Sequence, residues 1–396
     1  MKIVLLSNYF NRHQMPLSDA LFSLTDGNYS FISTTEMSEE RKKLGYTIKD
    51  IPDYVKEIKP TKKAGDGNEA ENEDVLKTLK TIEEADAVIA GAAPEKMLAK
   101  RIEEKKLIFR YSERLLKKGK SVIKYLPRRF RFHRKNPKNA PIFLLCTSAY
   151  TAADYLSFGL FKNKAYKWGY FPKTIYYADI NEILNKKDPA KIFWCGRFVD
   201  FKHPSLAVKA AERLRDEGYS FKLYLVGAGP KEKEIKEEIQ AKNIENRVFL
   251  TGAMSAEKVR HEMESSGIFL FTSDFGEGWG AVLNEAMNSG CAVIASHAAG
   301  ATPYLVQNGE NGLIYESGND EKLYEKLKYL LLNPKEQKRL GAAAYKTISE
   351  EWNAEIAAER FLNLTKRILN GGKNPDIYKN GPCSKAEILK NDWWKE

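Results

Sequence analysis

Short apolar runs that alternate with amphipathic helical segments most constrain the fold of this chain. In the second half, apolar Lys191–Cys195 precedes a helical pattern over Pro204–Glu217, which Gly218 ends, and apolar Lys222–Val226 comes next. Strands that alternate with helices favour a parallel sheet covered by helices on both faces. This order therefore predicts an α/β fold.

The same alternation runs through both halves of the chain. In the second half it predicts helices over Lys231–Lys242, Ala256–Ser265 and Ala281–Ser289, and strands over Val248–Leu250, Ile268–Phe271 and Ala292–Ala295. In the first half it predicts strands over Lys2–Ser7, Ala87–Ala90 and Ile142–Cys146, and helices over Pro16–Leu24, Asn72–Glu84 and Ser148–Phe158. The polar stretch Pro60–Asp74 is predicted to be an exposed loop.

The length of the chain indicates two domains. A chain of 396 residues exceeds the size at which one hydrophobic core stops growing. Gly169, Pro172 and neighbouring aromatic residues interrupt the periodicity near Trp168–Ile180, so the junction is expected there. We predict two tandem Rossmann-like doubly wound domains, residues 1–172 and 173–355, that face each other across a cleft. In such a pair, a ligand binds at the carboxyl ends of the strands.

Composition indicates the cellular compartment of the protein. Apolar residues make up 43% and charged residues 30% of the chain, and no apolar run reaches the length of about 18 residues that a membrane helix needs. The start reads as a buried strand and not as a signal peptide. The four cysteines are scattered, which disfavours structural zinc and a disulfide framework and favours a cytoplasmic location.

The net charge of +11 is concentrated in one window. Residues Lys105–Lys138 contain fourteen Lys and Arg and a single acid, Glu113, so the remainder of the chain is close to neutral. Two interpretations stay open: a solvated charged face, or a docking surface for anionic lipid, because apolar residues interleave with the cations. Nucleic acid is disfavoured, since no recognised nucleic-acid-binding module accompanies the charge.

The segment Thr272–Ala286 is the most informative motif. A predicted strand ends there, and a turn that contains Gly276, Gly278 and Gly280 follows. A predicted helix begins after the turn. Glycines let the backbone approach a ligand closely, and a helix start offers unpaired N–H groups to an anion. The carboxylates of Glu277 in the turn and Glu285 on the helix can each accept bonds from paired hydroxyls of a sugar.

The run E-G-W-G-A-V-L-N-E-A-M-N-S-G, which carries both glutamates, resembles the retaining glycosyltransferases of family 4, which have the GT-B fold. Cys195–Lys202 matches that family's G-R-x-x-x-x-K segment, and Gly300–Tyr304 with Asn308–Gly312 matches its loop after the next strand. The resemblance covers roughly residues 190–355. It implies that residues 356–396 cross back to the N-terminal domain.

The resemblance assigns roles by position. Arg197 and Lys202 would hold the donor diphosphate and offset charge on the leaving group, Glu285 would bind the ribose, and Glu277 would contact the transferred sugar. The other implied donor contacts are the backbone amides of Gly278, Trp279 and Gly280 beside the sugar, Phe249 and Thr251 in the segment beside the base, and Thr302 in the later loop.

The first half carries weaker signals of the acceptor side. Tyr9–Pro16 resembles the N-H/R-H-Q-x-P segment of one subgroup of the family, and Arg110–Arg114 resembles its R-x-S-E-R. His13 and Glu113 are the candidate catalytic residues, with a structural role as the alternative. Asn11, Arg110 and Arg114 are acceptor-side candidates, and the two arginines would bind phosphate or pair with acids. The aromatic block Asn163–Pro172 is expected to serve hinge and packing.

The predicted function is retaining transfer of a sugar from a nucleotide-diphosphate donor to a glycan or lipid-linked acceptor, in cell-surface polysaccharide synthesis. No cofactor or metal is expected, since no D-x-D pair stands where a metal would bridge a diphosphate. A nucleotide-sugar 2-epimerase of the same fold and a non-catalytic membrane-associated scaffold are the alternatives. Val226–Gly229 lacks the third glycine of a dinucleotide fingerprint, so NAD binding is not expected.

Overall fold

The computed structural model describes residues 1–39, 48, 50–58, 69–117, 119, 122–390 and 392–395. These residues form two compact units. Unit 1 contains Met1–Lys173 and Ala354–Ile388, whereas unit 2 contains Thr174–Asn353 together with the described residues after Ile388. The boundary after Lys173 falls within the stretch where aromatic residues, glycine and proline interrupt the sequence periodicity.

Unit 1 is built on a parallel sheet. Seven strands of the described residues pair in the order β3-β2-β1-β4-β5-β6-β7. They are β1 (Ile3–Ser7), β2 (Tyr29–Ser33), β3 (Val55–Glu57), β4 (Ala87–Ala90), β5 (Leu107–Ser112), β6 (Ile142–Cys146) and β7 (Ala165–Lys167). Its helices are Met15–Leu24, Glu69–Glu84, Ala99–Glu103, Val122–Lys135, Thr151–Ser157 and Ala354–Leu369, with a 3₁₀ turn over Glu95–Leu98.

The predicted loop Pro60–Asp74 is wrong in its second part. Residues 69–74 form the first turns of the helix Glu69–Glu84, which begins before the predicted helix start at Asn72, while residues 60–68 lie outside the described part of the chain. Glutamate and alanine dominate this stretch, and both are better helix formers than its polarity suggested. Composition alone therefore misplaced the start of the helix.

A distant part of the chain completes unit 1. The helix Ala354–Leu369 places Phe361 against Phe109 of β5 and against Trp168, with ring centroids 4.9 Å and 5.9 Å apart. Farther on, the N–H of Lys167 in β7 donates to the carbonyl of Ser384 at 2.7 Å. The aromatic block near Trp168 is buried, so its predicted packing role is confirmed.

Unit 2 repeats the architecture. Six strands of its described residues pair in parallel in the order β10-β9-β8-β11-β12-β13. They are β8 (Asp188–Cys195), β9 (Lys222–Val226), β10 (Val248–Gly252), β11 (Ser266–Phe271), β12 (Ala292–Ser296) and β13 (Leu313–Tyr315). Its helices are Ile180–Lys186, Pro204–Asp216, Glu232–Ala241, Ala256–Ser265, Ala281–Asn288, Thr302–Leu305, Asp320–Leu332 and Pro334–Glu350, with 3₁₀ turns over Asp200–Lys202 and Trp393–Lys395.

Both sheets have the strand order of a doubly wound fold, so the predicted fold class is confirmed. In each sheet the strand order reverses beside the first strand, between β1 and β4 in unit 1 and between β8 and β11 in unit 2. The loops that leave neighbouring strands diverge at such a point and leave a crevice at the carboxyl edge. Ligand-binding side chains are therefore expected after β8 and β11.

Candidate functional site

Two loops meet at the point in unit 2 where the strand order reverses. The first follows β8 and the second follows β11. The hydroxyl of Thr272 accepts a hydrogen bond from the indole N–H of Trp194 at 2.8 Å and donates to the carbonyl of Lys202 at 2.6 Å. The N–H of Asp274 donates to the carbonyl of Phe201 at 2.8 Å. These bonds fix the two loops against each other.

An ion pair joins the functional candidates of the two loops. The ammonium of Lys202 donates to Oε2 of Glu277, and the hydroxyl of Ser273 donates to the same oxygen at 3.2 Å. Each of the paired side chains is only 14% exposed. The structure thus brings together a cation and a carboxylate that the sequence placed in separate motifs.

Two glycines after β9, Gly227 and Gly229, allow the loop after β8 to lie close to the chain that leaves β9. A Cβ on Gly227 would stand 1.9 Å from the carbonyl oxygen of Gly196, and a Cβ on Gly229 would stand 2.6 Å from that of Phe198. The N–H of Gly196 donates to the Val226 carbonyl at 3.0 Å. This glycine pair therefore shapes the loop that carries Arg197.

Three consecutive N–H groups in the second loop point to a ligand. Within the described residues, the backbone N–H groups of Gly278, Trp279 and Gly280 find no acceptor, although all three residues are buried. Buried backbone donors without a partner are rare in folded proteins. They immediately precede the helix Ala281–Asn288, whose start favours negative charge. This stretch can bind an anion or a sugar oxygen.

Gly280 makes this arrangement possible. It adopts a φ of +94°, and a Cβ there would stand 2.3 Å from the ring of Phe271. Glycine adopts this backbone conformation at no steric cost. The turn can therefore enter the helix tightly, directly beside the end of β11.

Glu285 lies on the outer face of that helix. Along the helix, Leu283, Asn284 and Ala286 are buried, whereas Glu285 and Ala281 are partly exposed. Residues four apart on a helix lie on one face, so Glu285 and the helix start share a face. The carboxylate can reach hydroxyls of a ligand whose charged part lies at the helix start.

Trp279 is a core residue. Its side chain has no exposed surface, its indole N–H donates to Oδ1 of Asn284 at 2.8 Å, and its ring lies 5.9 Å from that of Trp352. Only its backbone can meet a ligand, as expected for an amide contact. Thr302 is also fully buried, and its hydroxyl finds no partner in the described structure.

The remaining donor-side candidates occupy the same edge of the sheet. Arg197 lies in the loop after β8 with its side chain exposed. Phe249 and Thr251 lie in β10, an edge strand, where Phe249 stacks on Tyr224 with ring centroids 5.1 Å apart. The carboxyl ends of parallel strands lie at one edge of a sheet, so Arg197 and the end of β10 at Thr251 lie toward the same edge.

In unit 1 the segment after β1 forms a turn that leads into the helix Met15–Leu24. The side-chain oxygen of Asn11 accepts the N–H of His13 at 2.9 Å, and its amide donates to Gln14 at 3.0 Å. The carbonyl of Asn11 also accepts the N–H of Met15, the first residue of the helix. Both the oxygen and the amide nitrogen of the Asn11 side chain are therefore hydrogen-bonded within the turn. His13 lies partly buried in the same turn.

Arg110 in β5 and Arg114 just after it pair with acids, which was one of their two predicted roles. Arg110 is buried and donates to Glu95, at 3.0 Å, and to Asn136, at 2.9 Å. Arg114 lies 3.5 Å from Asp154. These pairs hold the strand end in place.

Glu113 is also engaged at both oxygens. It accepts from the hydroxyl of Tyr170 at 2.8 Å and from the ammonium of Lys117 at 2.6 Å. Burial and the nearby Glu113 charge raise the pKa of Tyr111 well above its ordinary value, because both disfavour a phenolate. Unit 1 thus presents a tyrosine-lined, hydrogen-bonded strand end.

Among the described residues, no three His, Cys, Asp or Glu side chains cluster as a metal site would require. The four cysteines carry free thiols. Burial raises the pKa of the thiols of Cys146, Cys291 and Cys383, because desolvation penalises the thiolate. No helix in the described part of the chain has the length and apolarity to cross a membrane.

The residues of the site coincide with a region known from other proteins. Residues 178–347 match the glycosyl transferases group 1 family. The match covers less than half of the chain and includes both loops of the site. The sequence resemblance is thereby confirmed at the level of this group, while assignment to family 4 stays a prediction.

Curated relatives match the same half of the chain. The poly(ribitol-phosphate) alpha-N-acetylglucosaminyltransferase of Staphylococcus aureus (strain COL) is 27% identical over 168 residues, which are 42% of this chain and 34% of that protein. The amylovoran biosynthesis glycosyltransferase AmsK of Erwinia amylovora is 26% identical over 186 residues, 46% of this chain and 45% of that protein. The aligned part thus spans between a third and a half of these relatives.

Solved structures resemble the chain over nearly its whole length. The crystal structure of Anabaena Alr3699/HepE in complex with UDP and glucose has a TM-score of 0.65 and 16% identity, covering 92% of this chain and 99% of that chain. The predicted GT-B fold is confirmed by this likeness.

Several residues that hold the two loops together carry no motif in the sequence. Besides Thr272 and Ser273, His203 contributes, because its Nε2 lies 2.8 Å from Oδ2 of Asp274. Asp274 also accepts the N–H of Gly276 at 2.6 Å. Nothing in the sequence marks the bonds of Thr272 with Lys202 and of His203 with Asp274, since each joins residues about seventy positions apart.

Proposed function

We propose that this chain is a retaining glycosyltransferase of family 4 that binds a nucleotide-diphosphate sugar in unit 2. The observation that carries the proposal is the set of unpaired N–H groups at Gly278–Gly280 beside the pair formed by Lys202 and Glu277. A ligand that is an anion at one end and a polyol at the other fits both features. The relatives support this choice, since both are glycosyltransferases by name.

In the proposed mechanism, Arg197 and Lys202 bind the diphosphate and balance the charge that grows on it as it leaves. Glu285 accepts hydrogen bonds from the ribose hydroxyls, and Glu277 orients the transferred sugar. The acceptor oxygen attacks on the face from which the diphosphate departs. The new carbon–oxygen bond forms as the old one breaks, and the acceptor proton passes to a departing phosphate oxygen. The cations supply this charge balance without a metal ion.

We propose a glycan or lipid-linked glycan as acceptor and cell-surface polysaccharide synthesis as the process, in the cytoplasm at the inner face of the membrane. The amylovoran relative supports the process by its name. On the acceptor side, His13 is the better candidate for a direct contact, because both oxygens of Glu113 already accept hydrogen bonds. Arg110 and Arg114 are proposed to hold the strand end and not a phosphate.

The test is thermal unfolding of the purified protein with a panel of nucleotide sugars, with and without a chelator. We expect one donor to raise the unfolding temperature in the presence of chelator, and the rise to vanish in Arg197→Ala and Glu285→Ala. Glu257→Gln, an exposed acid on another helix, is the control and should respond like the wild type. Stabilisation by no nucleotide sugar would refute the proposal. Donor turnover without any acceptor would favour the 2-epimerase instead.

A further inference from the structure

The helix Val122–Lys135 of unit 1 presents two large apolar side chains to solvent. Leu126 is 72% exposed and Phe130 is 73% exposed. Residues four apart lie on one face of a helix, so these two side chains form one apolar ridge. Such a ridge on a charged helix is unusual for a surface that meets only water.

Another face of the same helix, which carries Tyr125 and Phe132, is already packed. The ring of Tyr125 stacks on Phe158 with centroids 5.1 Å apart, and the ring of Phe132 lies 5.3 Å from it. At the edge of the apolar ridge, the Nε2 of His133, three residues after Phe130, lies 2.9 Å from the carbonyl oxygen of Phe158. These contacts fix the rotation of the helix, so the outward position of Leu126 and Phe130 is set by the core beneath.

The apolar ridge is bordered by uncompensated positive charge. Arg129, Arg131 and Arg134 are exposed, and none of them forms an ion pair with any residue that the structure describes. The helix contains no acidic residue. Lys135, by contrast, pairs with Glu95 at 3.0 Å. The charge of Lys135 is therefore balanced by an acid, whereas no acid in the described part of the chain balances the charges of the three exposed arginines.

We propose that this face docks on the surface of an anionic lipid bilayer. Leu126 and Phe130 would enter the boundary between headgroups and acyl chains, while the arginines bind lipid phosphates. The choice of a lipid surface as partner rests on both the apolar ridge and the exposed arginines. A nucleic acid would satisfy the arginines but leave the apolar ridge in water, and an apolar protein groove would leave the arginines unpaired. The inference does not depend on the proposed transferase activity.

The experiment is co-sedimentation of the full chain with vesicles of phosphatidylcholine alone, or of phosphatidylcholine mixed with phosphatidylglycerol. We expect binding to the mixed vesicles only, weakened by added salt because exposed charges are screened. Arg131→Gln combined with Arg134→Gln should lower the partition coefficient about 30-fold, because each basic residue near an anionic surface contributes about 1 kcal/mol. Leu126→Ser combined with Phe130→Ser should lower it at least about tenfold by removing the apolar insertion.

Matched controls come from the helix Glu69–Glu84 of the same unit. Leu76 is 65% exposed there, and Lys77 and Lys80 are exposed cations. Leu76→Ser and the pair Lys77→Gln with Lys80→Gln should bind vesicles like the wild type. Because all of the substituted side chains are exposed, the unfolding temperatures of all variants should stay close to that of the wild type, which shows that they fold.

Several outcomes would overturn the proposal: equal binding to both kinds of vesicle, binding to neither, or unchanged binding of the variants at Leu126 and Phe130. Binding of a short DNA duplex that survives the two serine substitutions, without vesicle binding, would assign the face to nucleic acid. Donor-induced stabilisation is measured on the same preparations. Loss of vesicle binding with donor stabilisation retained rejects the membrane face alone.

Discussion

Lys202 and Glu277, 75 residues apart in the chain, form an ion pair in which each side chain is only 14% exposed. The pair connects the loop after β8 to the loop after β11. Each residue therefore supports the position of the other, besides any role toward a ligand.

Removing one member of the pair should cost more stability than removing both. Lys202→Met leaves a poorly solvated carboxylate, which we expect to lower the free energy of unfolding by about 2 to 3 kcal/mol. The double variant Lys202→Met, Glu277→Gln should recover most of that loss. Urea unfolding of the wild type, Lys202→Met, Glu277→Gln and the double variant measures the coupling. Additive losses would show that the ion pair does not hold the loops.

The double variant should nevertheless turn over slowly. If Lys202 also balances the charge of the leaving diphosphate, its loss should lower turnover by roughly 10²- to 10³-fold even when stability is restored. Activity is followed by release of the nucleotide diphosphate. Recovery of turnover together with stability would assign Lys202 a purely structural role.

Glu285→Gln should weaken donor binding and leave the fold intact. Substitution of the partly exposed carboxylate removes charge-assisted hydrogen bonds to hydroxyls, each worth about 1.5 to 3 kcal/mol. This corresponds to roughly 10- to 100-fold in dissociation constant by isothermal titration. Glu257→Gln is the matched control. An unchanged dissociation constant would place the ribose elsewhere.

Gly227→Ala should be strongly destabilising. The new Cβ would meet the carbonyl oxygen of Gly196 at 1.9 Å, at a φ of +140°, so the loop that carries Arg197 must move. We expect a loss of about 3 kcal/mol or more in the free energy of unfolding. Gly218→Ala is the control, because its φ is +81° but no atom lies within 4 Å of the added Cβ. It should cost only about 1 to 2 kcal/mol.

His297 should make unit 2 less stable in mild acid. Burial lowers its pKa below the ordinary 6.5, and its Nδ1 accepts the N–H of Ser317 at 2.9 Å, a bond that an imidazolium cannot make. The unfolded chain then binds the proton first as pH falls below 6.5. The contribution of His297 to the free energy of unfolding is therefore fully present above pH 6.5 and declines as the pH falls below it.

Urea unfolding between neutral and mildly acidic pH tests this. His297→Asn, which does not titrate, should flatten that part of the profile, whereas the exposed control His261→Asn should not. A wild-type profile that stays flat, or one that His297→Asn leaves unchanged, would contradict the assigned cause.

The sequence by itself determined the architecture. Continuous apolar runs specify strands buried on both faces, and their alternation with helices left the parallel doubly wound sheet as the outcome. Strands such as β6 and β9 and the helix Ala256–Ser265 have the bounds that periodicity predicts. The spacing of Glu277 and Glu285 around a glycine-rich turn located the candidate site as well, because a strand, a turn and a helix start are local features.

Only the tertiary structure decided how the site is held together. Short β3 and β7, the long helix Val122–Lys135 with its internal proline, and the helical residues 69–74 carry weak or misleading local signals. The sequence left two roles open for Arg110, and the structure pairs this buried side chain with Glu95. The contacts of Lys202 with Glu277 and of His203 with Asp274 join residues more than seventy positions apart. Such pairings arise from the crossover of neighbouring strands, and no periodicity along the chain encodes them.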